Sequence, residues 1–406
     1  MKKVNYLDYY ILIPYILLAS IGVLMVYSAS SFVALQTMDN PQHYFIRQAL
    51  FATVGLFGGF VIFMLRLDVL KYKKFVSSAI GIIVLLLIYL LFFGKEINGA
   101  KGWISLGPLG GLQPAEFAKI VVIWYFAFIF SKRQDRFVQD LRETVNAFLA
   151  PLLLFVALIV LPVILQPDIG GAVIILAIGV MMVLTSGISY KFGIGLAVIG
   201  SAVIFGVMEL IRAFGTNLPF VEGYQYDRFL AFWDPFAVSE STGLQLVNSY
   251  YALNRGGLFG VGIGESVQKT GYLPEPYTDF IMSILGEELG LIGVLVVLLL
   301  SAFLILRIYY VGIKTKDPFG SLLCIGVATM LLIQSAINLG GILGLMPITG
   351  VTYPFISYGG SSILVLSASM GIVLNVSAAM KRREEKKRNN LQKEMQENKN
   401  TSSIIQ

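Results

Sequence analysis

The sequence predicts an all-α integral membrane protein, a polytopic bundle of about ten transmembrane helices with one large extracytoplasmic loop. Three observations carry that expectation. Of the 406 residues, 56% are apolar and only 13% charged, against about 25% charged in ordinary soluble domains, so lipid must solvate most of the chain. The apolar residues gather into runs long enough to cross roughly 30 Å of hydrocarbon. The basic residues fall at alternate run ends, the pattern of short positive loops retained in the cytoplasm.

The runs lie near residues 10–29, 46–65, 75–93, 117–131, 147–165, 172–187, 192–211, 280–306, 319–342 and 360–380. Those meeting around Gln166 and Ile188 are so close that one pair could equally be re-entrant. Lys2, Lys3, Arg66, Lys71, Lys73, Lys74, Lys132, Arg133, Arg136, Arg142, Lys191, Lys314, Lys316 and the cluster from Lys381 to Arg388 share one side. Both termini are therefore expected in the cytoplasm. The opposite side is acidic, with Glu222, Asp227, Glu265, Glu275 and Asp279 among its residues. The net charge of +6 is thus a topological signature and points to no nucleic-acid partner. The first run, after Met1-Lys2-Lys3, is too long for a secretory h-region and is read as a retained anchor.

Residues 1–380 form the expected transmembrane domain, and residues 381–406 a charged, Asn/Gln-rich cytoplasmic tail expected to be disordered. Three outer segments, 94–116, 212–278 and 344–359, are dense in Gly, Pro and aromatic residues. Loops of that length inside a compact domain are usually functional. The longest contains a helical pattern from Leu244 to Leu253, placed at the membrane interface by its tyrosines. The single cysteine, Cys324, excludes a disulfide framework, and the single histidine, His43, excludes His-based triads and His-rich metal sites. Acid–base chemistry must use carboxylates, Lys or Tyr.

Three regions carry candidate chemistry. In the first, Gly99 to Ile104 precede Gln113-Pro114-Ala115-Glu116-Phe117-Ala118-Lys119. Glu116 and Lys119 share a helix face and can pair; Pro114 and Glu116 also suit a plain helix start, but Lys119 is a cation near the wrong end of the dipole. In the second, Gly271 to Phe280 run into an apolar helix. Thr278 or Asp279 either caps that helix, or Asp279 is a general base whose pKa is raised by like charge or an apolar wall. Glu287 and Glu288 follow inside the apolar stretch, where at least one must be paired or line a cavity. In the third, Met346 to Ser362, the helix start after Gly359-Gly360 offers backbone N–H groups suited to a diphosphate, or is an ordinary cap.

Together with Gln166-Pro167-Asp168-Ile169-Gly170, these segments, in their order and spacing, resemble the SEDS family (shape, elongation, division and sporulation) over nearly the whole chain. The resemblance implies the ten-helix SEDS fold and a peptidoglycan glycosyltransferase that polymerises lipid II outside the cytoplasmic membrane beside a class B penicillin-binding protein. It implies that Asp279, in Thr-Asp-Phe, is catalytic, and that Glu116 and Lys119 line the same central cavity. Trp103, Gln113, Glu275, Ser357 and Ser361 join them as candidate substrate contacts. Gly102 departs from the family, many members having a larger polar or basic residue before the Trp; Lys101 supplies a charge beside it. Glu265 to Lys269 and Asn248 to Tyr251 are more similar to the division type than to the elongation type, which implies action at the septum among other divisome membrane proteins.

As a mechanism, Asp279 takes a proton from the sugar hydroxyl that displaces a lipid diphosphate, inverting the anomeric carbon. Lys119, Lys101, Arg228 or a divalent cation, Mg or Mn, would stabilise the leaving group; no covalently bound cofactor is expected. Removing one such contact typically raises the barrier by about 2.7–4 kcal/mol. A lipid II flippase is the rival, but it needs polar groups through the membrane depth, whereas the candidates cluster at one face. A scaffold that only recruits a penicillin-binding protein would not need Asp279.

Overall fold

The computed structural model describes residues 3–97, 100–105, 107, 110–133, 149–187, 190–217, 223–240 and 243–404. Lys2, Gly99, Arg136, Arg142 and Glu222, used above, lie outside the described residues, as does the start of the fifth apolar run.

As far as it is described, every apolar run lies on a helix. In chain order the helices are α1 (Tyr9–Met38), α2 (His43–Met64), α3 (Lys73–Phe93), α4 (Pro114–Ser131), α5 (Leu149–Leu165), α6 (Ile169–Leu184), α7 (Tyr190–Phe214), α8 (Gly223–Trp233), α9 (Leu244–Gly256), α10 (Ile281–Lys314), α11 (Pro318–Ile342) and α12 (Gly360–Ile404). Among the described residues seven helices, α1–α4 and α10–α12, are long and apolar enough to cross a membrane. The shorter apolar helices α5 and α6, with α7, account for the remaining expected spans. Helices α8 and α9 belong to the segment 212–278, and α9 matches the pattern read from Leu244 to Leu253.

The described residues of segment 94–116 are more ordered than a loop. Strands β1 (Lys95–Ile97), β2 (Ala100–Ser105) and β3 (Gly111–Leu112) form an antiparallel sheet in that order, with Lys95 opposite Trp103 and Ile104 opposite Leu112. Strands this short leave too few residues for an alternating pattern to register.

Small residues let the central helices approach closely, as they do where lipid removes the hydrophobic drive for association. A Cβ on Gly371 of α12 would lie 2.3 Å from the Gly59 carbonyl of α2, and one on Gly55 would lie 2.6 Å from Ser367 Oγ. Tyr15 of α1 donates to the same Ser367 hydroxyl at 2.7 Å.

Helix α10 is broken at Gly290, whose φ of 69° leaves the helical region. The break frees main-chain groups that must find partners away from water. Val261 and Gly262 N–H donate to the Glu287 and Glu288 carbonyls at 3.0 Å, while Leu291 and Ile292 donate to the Gly257 and Leu258 carbonyls at 2.9 and 3.2 Å. Only glycine fits at the crossing: a Cβ on Gly256 would come 1.9 Å from the Gly286 carbonyl.

At the basic end, Asp8 is fully buried and accepts from Arg307 at 2.9 Å and Ser377 at 2.8 Å, fixing α1 to α10 and α12. Beyond it the chain departs from the expected disordered tail, because α12 continues through Lys381 to Ile404. The stretch is rich in Glu, Lys, Arg and Gln, strong helix formers uninterrupted by Pro or Gly, so a helix already nucleated in the bundle propagates.

Candidate functional site

Helices α2, α4, α6, α10 and α12 all begin at the end of the bundle opposite the Asp8 cluster, and around their starts lies a cavity of about 480 Å3. Its walls include Tyr44 and Arg47 of α2, Trp103 of β2, Gln113 and Glu116 at the start of α4, and Asp168 before α6. Arg228 of α8, Glu275 to Asp279 apart from buried Pro276, loop 347–352, and Gly360, Ser361 and Ser362 complete it. First-turn N–H groups have no partner within their own helix and carry the positive end of its dipole. Against the carboxylates of Glu116, Asp168, Glu275 and Asp279 on the same walls, several such ends and the arginines Arg47 and Arg228 offer an anionic group positive partners.

Asp279 lies on this wall, at the end of a turn shaped by its neighbours. Between Pro274 and Pro276, Glu275 adopts φ of +52°, left-handed backbone that costs a non-glycine residue roughly 1–2 kcal/mol. Thr278 Oγ1 donates to its carboxylate at 2.7 Å, and the Glu275 carbonyl accepts from Thr278 N–H at 3.3 Å and Phe280 N–H at 3.4 Å. Neither Thr278 nor Asp279 caps α10; its N-cap is Phe280, with no side-chain hydrogen bond. Burial first, and then the nearby Glu275 carboxylate, push the Asp279 carboxyl up to about 7, against the opposing pull of Arg228. Gly350 packs beside it: a Cβ there would be 3.4 Å from Asp279 Oδ2 and 3.9 Å from either terminal Arg228 nitrogen.

A second polar group stands at the α4 start. Lys119 Nζ reaches Glu116 Oε1 at 2.6 Å, so the sequence-predicted pair forms, with Lys119 only 2% exposed behind Glu116. Gln113 Nε2 donates to Asp168 Oδ2 at 3.1 Å, while Asp168 Oδ1 accepts from Gly171 N–H at 2.8 Å and caps α6. Burial, partly offset by the Gly171 hydrogen bond, raises the Asp168 pKa. Ser361 Oγ accepts from Gln113 N–H at 2.9 Å, tying α12 to α4.

The structure therefore brings Trp103, Gln113, Glu116, Glu275, Asp279 and Ser361 to one cavity, with Lys119 reaching it through Glu116. Two candidates stand elsewhere. Ser357 is buried, its hydroxyl accepting from Tyr353 N–H at 2.8 Å, so it shapes the loop before α12. Lys101 is exposed on β2, roughly 7 Å along the strand from Trp103 and outside the lining. Glu287 and Glu288 are buried and paired, with Arg255 and Lys269, away from the cavity.

Sequence reasoning missed three features. Tyr44, Tyr277 and Tyr358 form one aromatic cluster, with ring centroids 4.6 Å apart for Tyr44–Tyr277 and 5.1 Å for Tyr44–Tyr358. Arg47, one turn from Tyr44, adds a cation to the same wall. Asn338 of α11, 4% exposed, donates to both the Asp279 and Val351 carbonyls at 2.7 Å. A lone Asn inside an apolar run was the signal for the last, since amides there need partners.

Residues 9–382 match the family described as "Cell cycle protein", the FtsW, RodA and SpoVE group. The chain is 41% identical over 390 residues to the probable peptidoglycan glycosyltransferase FtsW of Bacillus subtilis, covering 95% of this chain and 94% of that one. It is also 41% identical, over 404 residues, to the protein of the same name from Lactococcus lactis, with 95% of each covered. Among solved structures, one described as "Structural coordination of polymerization and crosslinking by a peptidoglycan synthase complex" is similar at a TM-score of 0.68 and 27% identity, covering 92% of this chain and 98% of that one. The Thermus thermophilus rod shape determining protein RodA is similar at 0.64 and 27%, covering 91% and 96%. This chain belongs to the FtsW/RodA/SpoVE family, the SEDS membrane proteins.

Proposed function

We infer that this multi-pass membrane protein is a peptidoglycan glycosyltransferase serving cell division, with lipid II as substrate and Asp279 as general base. The observation that carries the assignment is a carboxyl raised to about 7 on the wall of a cavity that also presents Arg47, Arg228 and helix starts. A base is most effective when its pKa lies near the working pH. Asp279 removes the proton of the acceptor sugar hydroxyl as its oxygen attacks the donor's anomeric carbon; the diphosphate leaves from the opposite face, turning an α-linked donor into a β-linked glycan.

Arg228 supplies positive charge where the leaving diphosphate develops negative charge, Lys119 neutralises Glu116 on the same wall, and the starts of α6 and α12 add N–H donors. Trp103, Gln113, Glu275 and Ser361 are the proposed substrate contacts. Lys101 would act from the rim, and Ser357 by holding the loop. Among the described residues no group of three His, Cys, Asp or Glu forms a metal cage. A divalent cation, Mg or Mn, would instead be shared between a cavity carboxylate such as Glu116 and the substrate diphosphate.

The likeness to a peptidoglycan synthase complex supports a class B penicillin-binding protein as partner, with other divisome proteins at the septum. The basic residues support cytoplasmic termini. Purified chain given lipid II, with and without the partner, tests the reading: glycan strands from the parent and none from Asp279→Asn are expected. Transport without polymer would overturn it in favour of a flippase.

A further inference from the structure

The segment that ends in Asp279 is gripped at its base by two consecutive carboxylates of α10. Glu287, wholly buried, accepts from Arg255 at 2.7 Å, from Val267 N–H at 3.0 Å, from Gln268 N–H at 3.3 Å and from the Ser266 hydroxyl. Its neighbour points about 100° further round the helix. Glu288, 1% exposed, accepts from Lys269 Nζ at 2.6 Å and from Ser28 Oγ of α1 at 2.7 Å, and Lys269, 5% exposed, also donates to Ser28 at 3.0 Å. Three elements thus meet at Lys269, Glu288 and Ser28, and none of these residues lines the cavity.

A buried ion pair is a weak source of stability, since apolar residues of similar volume often serve as well or better. What it supplies is direction. Residues 270–279 leave Lys269 for the cavity, and the unbroken turns Ile281–Glu288, roughly 10 Å long, return from Asp279 to Glu288. The pair closes that circuit, and Gly290 ends the rigid stretch just below it.

We propose that Lys269, Glu288 and Ser28 form a positioning triad that fixes the place of Asp279 in the cavity, acting through segment 270–279 without touching substrate. The proposal rests on Asp279 being the base. A displacement of about 1 Å from a remote substitution can lower turnover roughly a hundredfold, and loss of a contact used only in the transition state leaves KM unchanged.

The test measures turnover, KM, thermal unfolding and amide exchange over residues 266–280 on the full-length protein with lipid II. Lys269→Met/Glu288→Leu leaves no charge buried alone and is expected to unfold near the parent temperature. Its turnover should fall roughly a hundredfold with KM within about twofold, exchange over 266–280 should quicken, and Lys269→Arg should recover most of the rate. A folded double variant with parental turnover overturns the triad. Should that variant fail to fold, Ser28→Ala keeps both charges: a loss of about threefold to tenfold in turnover at constant KM supports the proposal, and parental turnover overturns it. Asp279→Asn in the same series separates the two ideas. An active Asp279→Asn removes the base assignment itself, whereas an inactive one beside a parental double variant removes only the triad.

Discussion

Asn338 holds the main chain of Asp279, its Nδ2 2.7 Å from the Asp279 carbonyl oxygen and equally 2.7 Å from that of Val351. One amide, planted in the largely apolar α11, therefore registers the loop before α10 against the loop before α12, the two segments that meet where Gly350 packs beside Asp279. Asp279 is placed from inside the membrane domain as much as from its own loop.

Asn338→Ala should accordingly lower turnover more than it lowers stability. Two buried carbonyls lose their donor, which costs about 1–3 kcal/mol, while the loss of register should reduce turnover by roughly tenfold to a hundredfold. Thermal unfolding and polymerisation rate on one preparation check this. Parental turnover despite a lowered melting temperature would show that α11 merely supports the loops.

The raised pKa of Asp279 links activity and stability in opposite directions. Because its folded value, about 7, exceeds the ordinary 3.8, the folded chain keeps this proton at pH values where the unfolded chain has lost it. The stability it contributes is whole below about pH 4 and lost as pH rises through 7, by at most about 4 kcal/mol and less where cavity water screens the charge. Asp279→Asn, which cannot ionise, should match the parent near pH 4 and exceed it in thermal stability at pH 8 while making no glycan. Equal melting temperatures at pH 8 would mean that the carboxylate is well solvated after all.

Adjacent glycines of α2 should respond oppositely to the same change. A Cβ on Gly59 would lie 2.7 Å from the Ser367 carbonyl oxygen of α12, backbone that cannot easily move, whereas Gly58 has open space beside it. Gly59→Ala should destabilise the bundle, and Gly58→Ala should be neutral or stabilise it by about 0.5–1 kcal/mol through helix propensity. Comparative unfolding in detergent decides, and indistinguishable variants would remove the tight α2–α12 contact from the account.

Much of this architecture was legible in the sequence because lipid imposes a coarse rule: long apolar runs must be helices, and their basic ends mark a side. As far as they are described, the ten runs fell on helices, and Glu116 with Lys119 paired because their three-residue spacing already fixed the geometry. What sequence reasoning lost were relations between distant segments. The hold of Asn338 on Asp279, and the insertion of 257–262 into the break at Gly290, depend on which helices neighbour one another, which periodicity does not encode. The sheet at 95–112 escaped because its strands are short, and the helical tail because composition favouring solvation also favours helix once a bundle has nucleated it.

The two charges nearest Asp279 offer the sharpest test of how its pKa is set. Glu275 raises it and Arg228 lowers it, both secondary to burial. Glu275→Gln removes the like charge, so Asp279 should ionise at lower pH and the acid limb of the pH–rate profile should move down. Arg228→Gln removes the compensating cation, so the limb should move up; if Arg228 stabilises the leaving diphosphate as proposed, the plateau rate should fall as well, by the roughly 100- to 1000-fold typical of a lost electrostatic contact. Glu275→Gln should not share that fall to the same extent, since its carboxylate carries the wrong sign to stabilise a departing anion. If both limbs moved the same way, the profile would be reporting a group other than Asp279, and the general base would have to be sought among the remaining cavity carboxylates, Glu116 and Asp168.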